Sequence, residues 1–380
     1  MNVYITNLAS FLPGDPVAND DIERYLGPVD RISNRTKTKI LTSNGITSRY
    51  YAIDKNSGAP TYTNAQLTAE AIRKLDVTSE EGNSCLACGT SSPDQLMPGH
   101  ASMVHGELGE FPCEVVSTAG ICLSGIMALK YGAMAVALGS ASFAVTTGSE
   151  LASSYMRTDF FNRVCSQQTD QGLDEPSHPA FSFEEQFLRW MLSDGAGAAL
   201  IEPEPRGACN LRIDWIELSS QAHHLQTCMY AGCSKGPNGR TVGWRENLRK
   251  NLYSGGIFTI KQDAKLLNRE VLAALVGTAL PPIIAKHRLT PDQIDWFLPH
   301  YSSAYFREPL ARQLEAIGFS IPQERWFTNL SSKGNTGAAS FYIMLEELMH
   351  SGRLRSGERI LGFIPESGRF SVGYILLTVV

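Results

Sequence analysis

The stretch Ser117-Thr118-Ala119-Gly120-Ile121-Cys122-Leu123-Ser124-Gly125 puts small residues between a strand-length run, Glu114 to Ser117, and a helical apolar pattern, Leu123 to Ala137. A strand that empties through a glycine-bearing turn into an apolar helix is one half of a strand-helix-strand crossover, and it leaves the turn residue at a helix N-terminus. Partial positive charge and free N–H groups at that end lower a thiol pKa and favour bound negative charge. Cys122 is therefore a candidate nucleophile, held as a thiolate. Taken alone, a buried cysteine acting as a small hydrophobe reads at least as well.

The alternation continues outward in both directions. Strands are expected at Val3 to Leu12, Ser84 to Gly89, Phe143 to Thr147 and Gly197 to Glu202. A second set follows at Leu211 to Leu218, Trp296 to Pro299, Trp326 to Leu330, Arg359 to Ile364 and Gly373 to Val379. Several are short, bounded by glycine and without polar alternation, as in sheets covered on both faces. Helical periodicity marks Ala65 to Leu75, Lys265 to Leu280, Arg307 to Ile317 and Ala338 to His350. The class is α/β. Two halves of similar order predict units at 1–205 and 206–380, parted near Pro203-Glu204-Pro205-Arg206-Gly207. The polar run Cys165 to Pro179 predicts a lid or interface arm within 151–192.

Composition narrows the function classes. The 380 residues are 43% hydrophobic and 19% charged, enough for a sizeable core, and the net charge of −5 offers no basic excess for a phosphate backbone. No apolar run reaches the roughly 18 residues that span a bilayer, and the Met1-Asn2-Val3-Tyr4 start reads as a strand and not as a signal peptide. Eight cysteines in so long a chain are read as reduced, which places the protein in the cytoplasm. Cys85 and Cys88 form a lone C-x-x-C across a strand, where residues three apart face opposite ways, so no metal site is expected. His223 and His224 are read as exposed neighbours.

Two further segments end at places where open α/β sheets gather ligands. His300 follows the buried run Trp296-Phe297-Leu298-Pro299, and Asn335 stands in Ser332-Lys333-Gly334-Asn335-Thr336-Gly337-Ala338, a turn entering a helix. An imidazole moves protons near neutral pH, and a carboxamide donates hydrogen bonds without titrating. A core histidine and a helix-capping asparagine are the ordinary alternatives.

The order Cys122, His300, Asn335 resembles the thiolase superfamily, and within it the β-ketoacyl-carrier-protein synthase III group. The resemblance extends over nearly the whole chain, through Lys39-Ile40-Leu41-Thr42-Ser43-Asn44-Gly45-Ile46, Ser193-Asp194-Gly195-Ala196-Gly197-Ala198, Gly334-Asn335-Thr336 and Ser367-Gly368-Arg369-Phe370-Ser371-Val372-Gly373. It implies a duplicated fold in layers α-β-α-β-α and a homodimer whose sheet continues across the interface, near Cys113 to Ser117 and Phe143 to Thr147. It implies that Cys122 takes an acyl group as a thioester, that His300 and Asn335 bind the second thioester's carbonyl as it becomes an enolate, and that the N–H groups of Cys122 and Gly368 form the oxyanion hole. The substrates would be acyl thioesters and no cofactor is implied.

Three departures sharpen the reading. Lys39 stands where members priming from coenzyme A carry a tryptophan, so delivery by an acyl carrier protein is favoured. Leu123-Ser124-Gly125 adds a position after the nucleophile, and Ser367 and Arg369 replace common glycines. With Gly89-Thr90-Ser91-Ser92-Pro93-Asp94-Gln95-Leu96-Met97-Pro98 and Thr147-Gly148-Ser149-Glu150, these features resemble the dialkylresorcinol and bacterial stilbene branch, which joins a β-ketoacyl and an α,β-unsaturated acyl thioester into a cyclohexanedione. Glu150 is then either an additional base or a structural carboxylate. Condensation without ring closure and a silent partner subunit are the competing functions. Arg245, Arg249, Lys250, Lys261, Lys265 and Arg269 form a candidate carrier-docking patch or a solvated face. Phe181, Phe183, Trp190 and Met191 either line an acyl tunnel or fill the core.

Overall fold

The structure is a computed structural model that describes residues 2–28, 33–75, 77, 83–109, 112–160, 188–236, 238–246 and 257–380. Among these, nine strands form one mixed sheet: β1 (Tyr4–Phe11), β2 (Ser84–Thr90), β3 (Glu114–Ala119), β4 (Phe143–Glu150), β5 (Gly195–Glu202), β6 (Leu211–Ser220), β7 (Trp296–Pro299), β8 (Arg359–Glu366) and β9 (Ser371–Val379). Their order is β7-β8-β9-β6-β1-β5-β4-β2-β3. The two halves of this row meet between β6 and β1, where Tyr4↔Arg212 and Ile5↔Leu211 pair and the Ile213 N–H donates to Val3 O at 2.9 Å.

On either side of that thin junction the same pattern occurs. β2 runs parallel to β4, which is antiparallel to β5, which is antiparallel to β1. β7 runs parallel to β8, which is antiparallel to β9, which is antiparallel to β6. Parallel β3 extends the first set, and Trp326 bridges Phe297 in parallel at the corresponding edge of the second. Here the sequence expectation needs correction. Trp326 to Leu330 is no strand but a single bridge, because the chain gives one N–H, from Phe327, to Phe297 at 2.9 Å and turns helical at Leu330.

Seven helices matter for the site: α1 (Asn64–Arg73), α2 (His100–Leu108), α3 (Ser124–Ala137), α4 (Ala264–Leu272), α5 (Leu280–His287), α6 (Arg307–Ala316) and α7 (Ser340–His350). Ala128 and Leu129 of α3 and Phe341 and Leu345 of α7 pack between residues of both sheet halves, including Ala144, Ala199, Ile364 and Ile375. Leu67 and Val104 of α1 and α2 cover the outer face of the first half. Leu267, Ile283 and Leu310 of α4, α5 and α6 cover that of the second. The layers therefore run α-β-α-β-α. Cys85 belongs to the central layer and Cys88 to the outer one, on opposite faces of β2. The single expected helix Lys265 to Leu280 is α4 and α5 joined by a wider π turn, Ala273–Thr278. The run Ala264–His287 is apolar enough to pass as a membrane span by composition, and its apolar residues Leu266, Leu275, Val276 and Leu280 are core. Cys165 to Pro179, the expected lid, lies outside the described residues.

Glycines set how closely the two central helices approach. A Cβ on Gly125 would lie 2.4 Å from the Ala338 carbonyl oxygen, and one on Gly148 would lie 2.1 Å from the same atom. The Tyr342 hydroxyl donates to the Gly125 carbonyl at 2.9 Å. Backbone thus meets backbone where α3 and α7 begin.

Candidate active site

Cys122 leaves β3 through Gly120, whose φ of 139° suits glycine, and sits in the 3-10 turn Ile121–Leu123 that opens α3. Ser124 N–H donates to the Gly120 carbonyl at 2.8 Å and its Oγ donates to the Ile121 carbonyl at 2.8 Å, which closes the turn. Asn335 occupies the matching place in the second half, after the Trp326 bridge and before α7. Its backbone N–H donates to Met191 O at 2.9 Å and its Oδ1 accepts the Gly337 N–H at 3.0 Å, so its NH2 group remains as the donor. His300 follows β7, with its N–H donating to Phe363 O at 2.8 Å, as Ser91 follows β2 in the first half.

All three side chains line one cavity of about 460 Å³. Glu150, Ser91 and Ser367 add polar groups to its lining, and Leu188, Leu192, Leu267, Val271, Phe306 and Leu310 add apolar ones. Such a lining can hold both a polar headgroup and an apolar chain.

The electrostatics differ from the expectation for a helix N-terminus. Desolvation, and then the charges of Glu150 and Glu366, push the Cys122 thiol well up. At rest it is a thiol and not a thiolate, because burial beside two carboxylates outweighs half a charge at a helix end. His300 is buried and its pKa falls to about 4 through desolvation, so the imidazole is neutral and able to accept a proton. Glu150 is 5% exposed. Its carboxylate accepts from Ser91 Oγ at 2.7 Å, Ser91 N–H at 3.1 Å, Ser92 Oγ at 2.9 Å and the Ala338 N–H at 3.3 Å, while desolvation raises its pKa.

Other expectations change. Gly368 does not line the cavity, and its N–H donates to the Glu366 carboxylate, so at rest it is not a free oxyanion donor. Trp190 and Met191 are core residues away from the cavity, with Lys37 over the Trp190 ring. Their neighbours Leu188 and Leu192 are the ones that reach it, while Phe181 and Phe183 lie outside the described residues. Of the basic patch, Arg249 and Lys250 also lie outside. Arg245 stacks on Trp244, Lys261 lies in a two-residue strand, Lys265 is exposed, and Arg269 pairs with Glu270 at 2.6 Å. His223 and His224 are exposed, with ring nitrogens 3.0 Å apart. Ser91 and Glu366 were given no role of their own in the sequence reading. Glu366 ends β8 as Glu150 ends β4, a correspondence visible only once the strands are paired.

Residues 284–368, which include His300 and Asn335, match the family described as 3-oxoacyl-[acyl-carrier-protein (ACP)] synthase III C terminal. Over nearly full length the chain is similar to proteins named beta-ketoacyl-[acyl-carrier-protein] synthase III. The relative from Chlorobaculum tepidum is 23% identical over 364 residues, 95% of this chain and 94% of that protein. The relative from Rhizorhabdus wittichii is 25% identical over 363 residues, 94% and 93%. Among solved structures, the tetronic acid condensing enzyme AbyA1 superposes with a TM-score of 0.75 at 21% identity, covering 99% of each chain. OleA of Xanthomonas campestris, solved with lauric acid and lauroyl-CoA, gives 0.73 at 21% identity, covering 100% of this chain and 99% of that one. Over nearly its whole length the chain is thus similar to the β-ketoacyl-[acyl-carrier-protein] synthase III group of condensing enzymes, and its residues 284–368 match that group's C-terminal family.

Proposed function

We propose that the chain forms a carbon–carbon bond between two acyl thioesters, with Cys122 as the acylated nucleophile and His300 and Asn335 as the enolate-binding pair. The observation that carries this reading is the opening of these three side chains, from the two halves of the fold, onto one cavity lined by polar and apolar groups. In the first step Cys122 Sγ bonds to the thioester carbonyl carbon and its proton passes through the neutral His300 to the departing carrier thiol, whose carbon–sulfur bond breaks. In the second, the other thioester gives its α-proton to the Glu150 carboxylate on the same cavity, its α-carbon attacks the acyl carbonyl, and that proton passes to the leaving Cys122 sulfur. The enolate oxygen is held by His300 and the Asn335 NH2 group, and the bond to Cys122 breaks to return the thiol. Thioester activation resides in the substrates, so the chemistry calls for no redox cofactor.

The finer reading is a ketosynthase and cyclase that joins a β-ketoacyl and an α,β-unsaturated acyl thioester into a cyclohexanedione. Glu150 supports it as a further proton acceptor on the same cavity. Exposed Lys265 and Arg245 support docking of an acidic carrier. Exposed Val115, Tyr131, Met134 and Leu138, along edge strand β3 and α3, support a homodimer.

Replacement of Cys122 by Ala should abolish the covalent mass increase on incubation with an acyl thioester; acylation of that variant would overturn the nucleophile assignment. Incubation of the wild type with a β-ketoacyl and an enoyl thioester separates the finer readings, a cyclic dione supporting the cyclase and a linear product refuting it.

A further inference from the structure

Glu366 pairs with Ser371 across the hairpin of β8 and β9, and the four-residue turn between them wraps around its carboxylate. Oε1 accepts the Gly368 N–H, and Oε2 accepts those of Ser371 at 3.1 Å and Arg369 at 3.4 Å. Converging backbone N–H groups of this kind make an anion-binding nest. The side chain in it is 7% exposed. Only glycine at 368 admits it, since a Cβ there would lie 2.1 Å from Glu366 Oε1.

The nest abuts the nucleophile. The same Cβ would lie 2.7 Å from Cδ1 of Ile121, the residue before Cys122, and Pro365 and Ser367 on either side of Glu366 line the cavity. A turn that already holds one negative oxygen beside Cys122 is built to hold another.

We propose that Glu366 is a positioning residue that occupies the oxyanion donor at rest: its carboxylate holds the Gly368 N–H, and acyl transfer to Cys122 proceeds as the thioester oxygen takes that N–H from it. The inference rests on the acyl-Cys122 reading with Gly368 as donor. The exchange makes and breaks no covalent bond, since one N–H···O contact replaces another while the carbon–sulfur bond forms and negative charge grows on the carbonyl oxygen. A reagent that alkylates sulfur forms no oxyanion and does not need the exchange.

Glu366→Gln preserves the size of the side chain and leaves a neutral amide oxygen, a weaker acceptor than a carboxylate. Cys122 acylation by an acyl-carrier-protein thioester is followed by intact mass, and alkylation by iodoacetamide is measured beside it to report thiolate availability. The ratio of acylation to alkylation rate should rise by about five- to tenfold in the variant, since charge-assisted hydrogen bonds are roughly twice as strong as neutral ones. An unchanged or lower ratio overturns the proposal. Failure of the wild type to acylate Cys122 would refute the underlying reading instead. Should Glu366→Gln not fold, the crystal structure of wild-type acyl-Cys122 decides: the carboxylate should have left the Gly368 N–H, and a retained contact overturns the proposal.

Discussion

Gly125→Ala probes whether the two halves must stay in register for chemistry. On an exposed helix this change would be stabilising by up to about 1 kcal/mol. Here the new Cβ would stand 2.4 Å from the Ala338 carbonyl oxygen and 3.1 Å from the Tyr342 ring, and the neighbour at 2.4 Å is backbone. Ordinary contact requires about 1 Å of separation between the starts of α3 and α7, the elements that follow Cys122 and Asn335. Overpacking of this kind costs roughly 1–3 kcal/mol, which offsets the gain in helix propensity. The kinetic effect is larger, because a 1 Å misplacement between reacting groups costs on the order of 10²-fold. Acylation, which depends on the Cys122 turn, should fall by less than tenfold. Condensation, which needs Asn335 and His300 against the acyl group, should fall by about 10²-fold. Intact mass follows the first step, quantified condensation product the second, and thermal unfolding confirms the fold. A variant that folds normally and condenses at the wild-type rate would show that the backbone contact does not set the site.

Asn335→Ala should leave covalent acylation near its wild-type rate and His300→Ala should slow it, and each should lower condensation by roughly 10²–10⁴-fold; loss of acylation in the asparagine variant would contradict its assignment to the second step. The pH dependence of stability tests the buried histidines. His100, between Thr68 and Ser149 hydroxyls, has its pKa lowered to about 4 by desolvation. The unfolded chain binds that proton near pH 6.5, so stability falls as pH drops from about 6.5 toward 4, at up to roughly 1.4 kcal/mol per pH unit. His100→Gln should flatten this part of the urea-unfolding profile between pH 7 and 5, and an unchanged slope would refute it. His300 should remain neutral by NMR down to about pH 5, and a midpoint near 6.5 would place it in water.

Local pattern carried much of the fold. Short, glycine-bounded apolar runs marked all nine strands of the main sheet to within a few residues, and helical periodicity marked the helices that sandwich it. It also singled out Cys122, His300 and Asn335, because a residue set just beyond a strand or just before a helix leaves a trace in the few residues around it. Trp326 to Leu330 misled because an aromatic and apolar run does not reveal whether a partner strand offers more than one bond.

Other properties depend on distant segments and have no local trace. That Cys122 is a thiol at rest follows from burial and then from the carboxylates on β4 and β8, and that Gly368 is engaged follows from a turn folding back on Glu366. The sequence by itself determined which residues stand at strand ends and helix starts, since hydrophobic period and glycine placement act over a few bonds. Only the tertiary structure decided which of them share a cavity and in what charge state, since proximity and desolvation arise when segments far apart in the chain exclude water together.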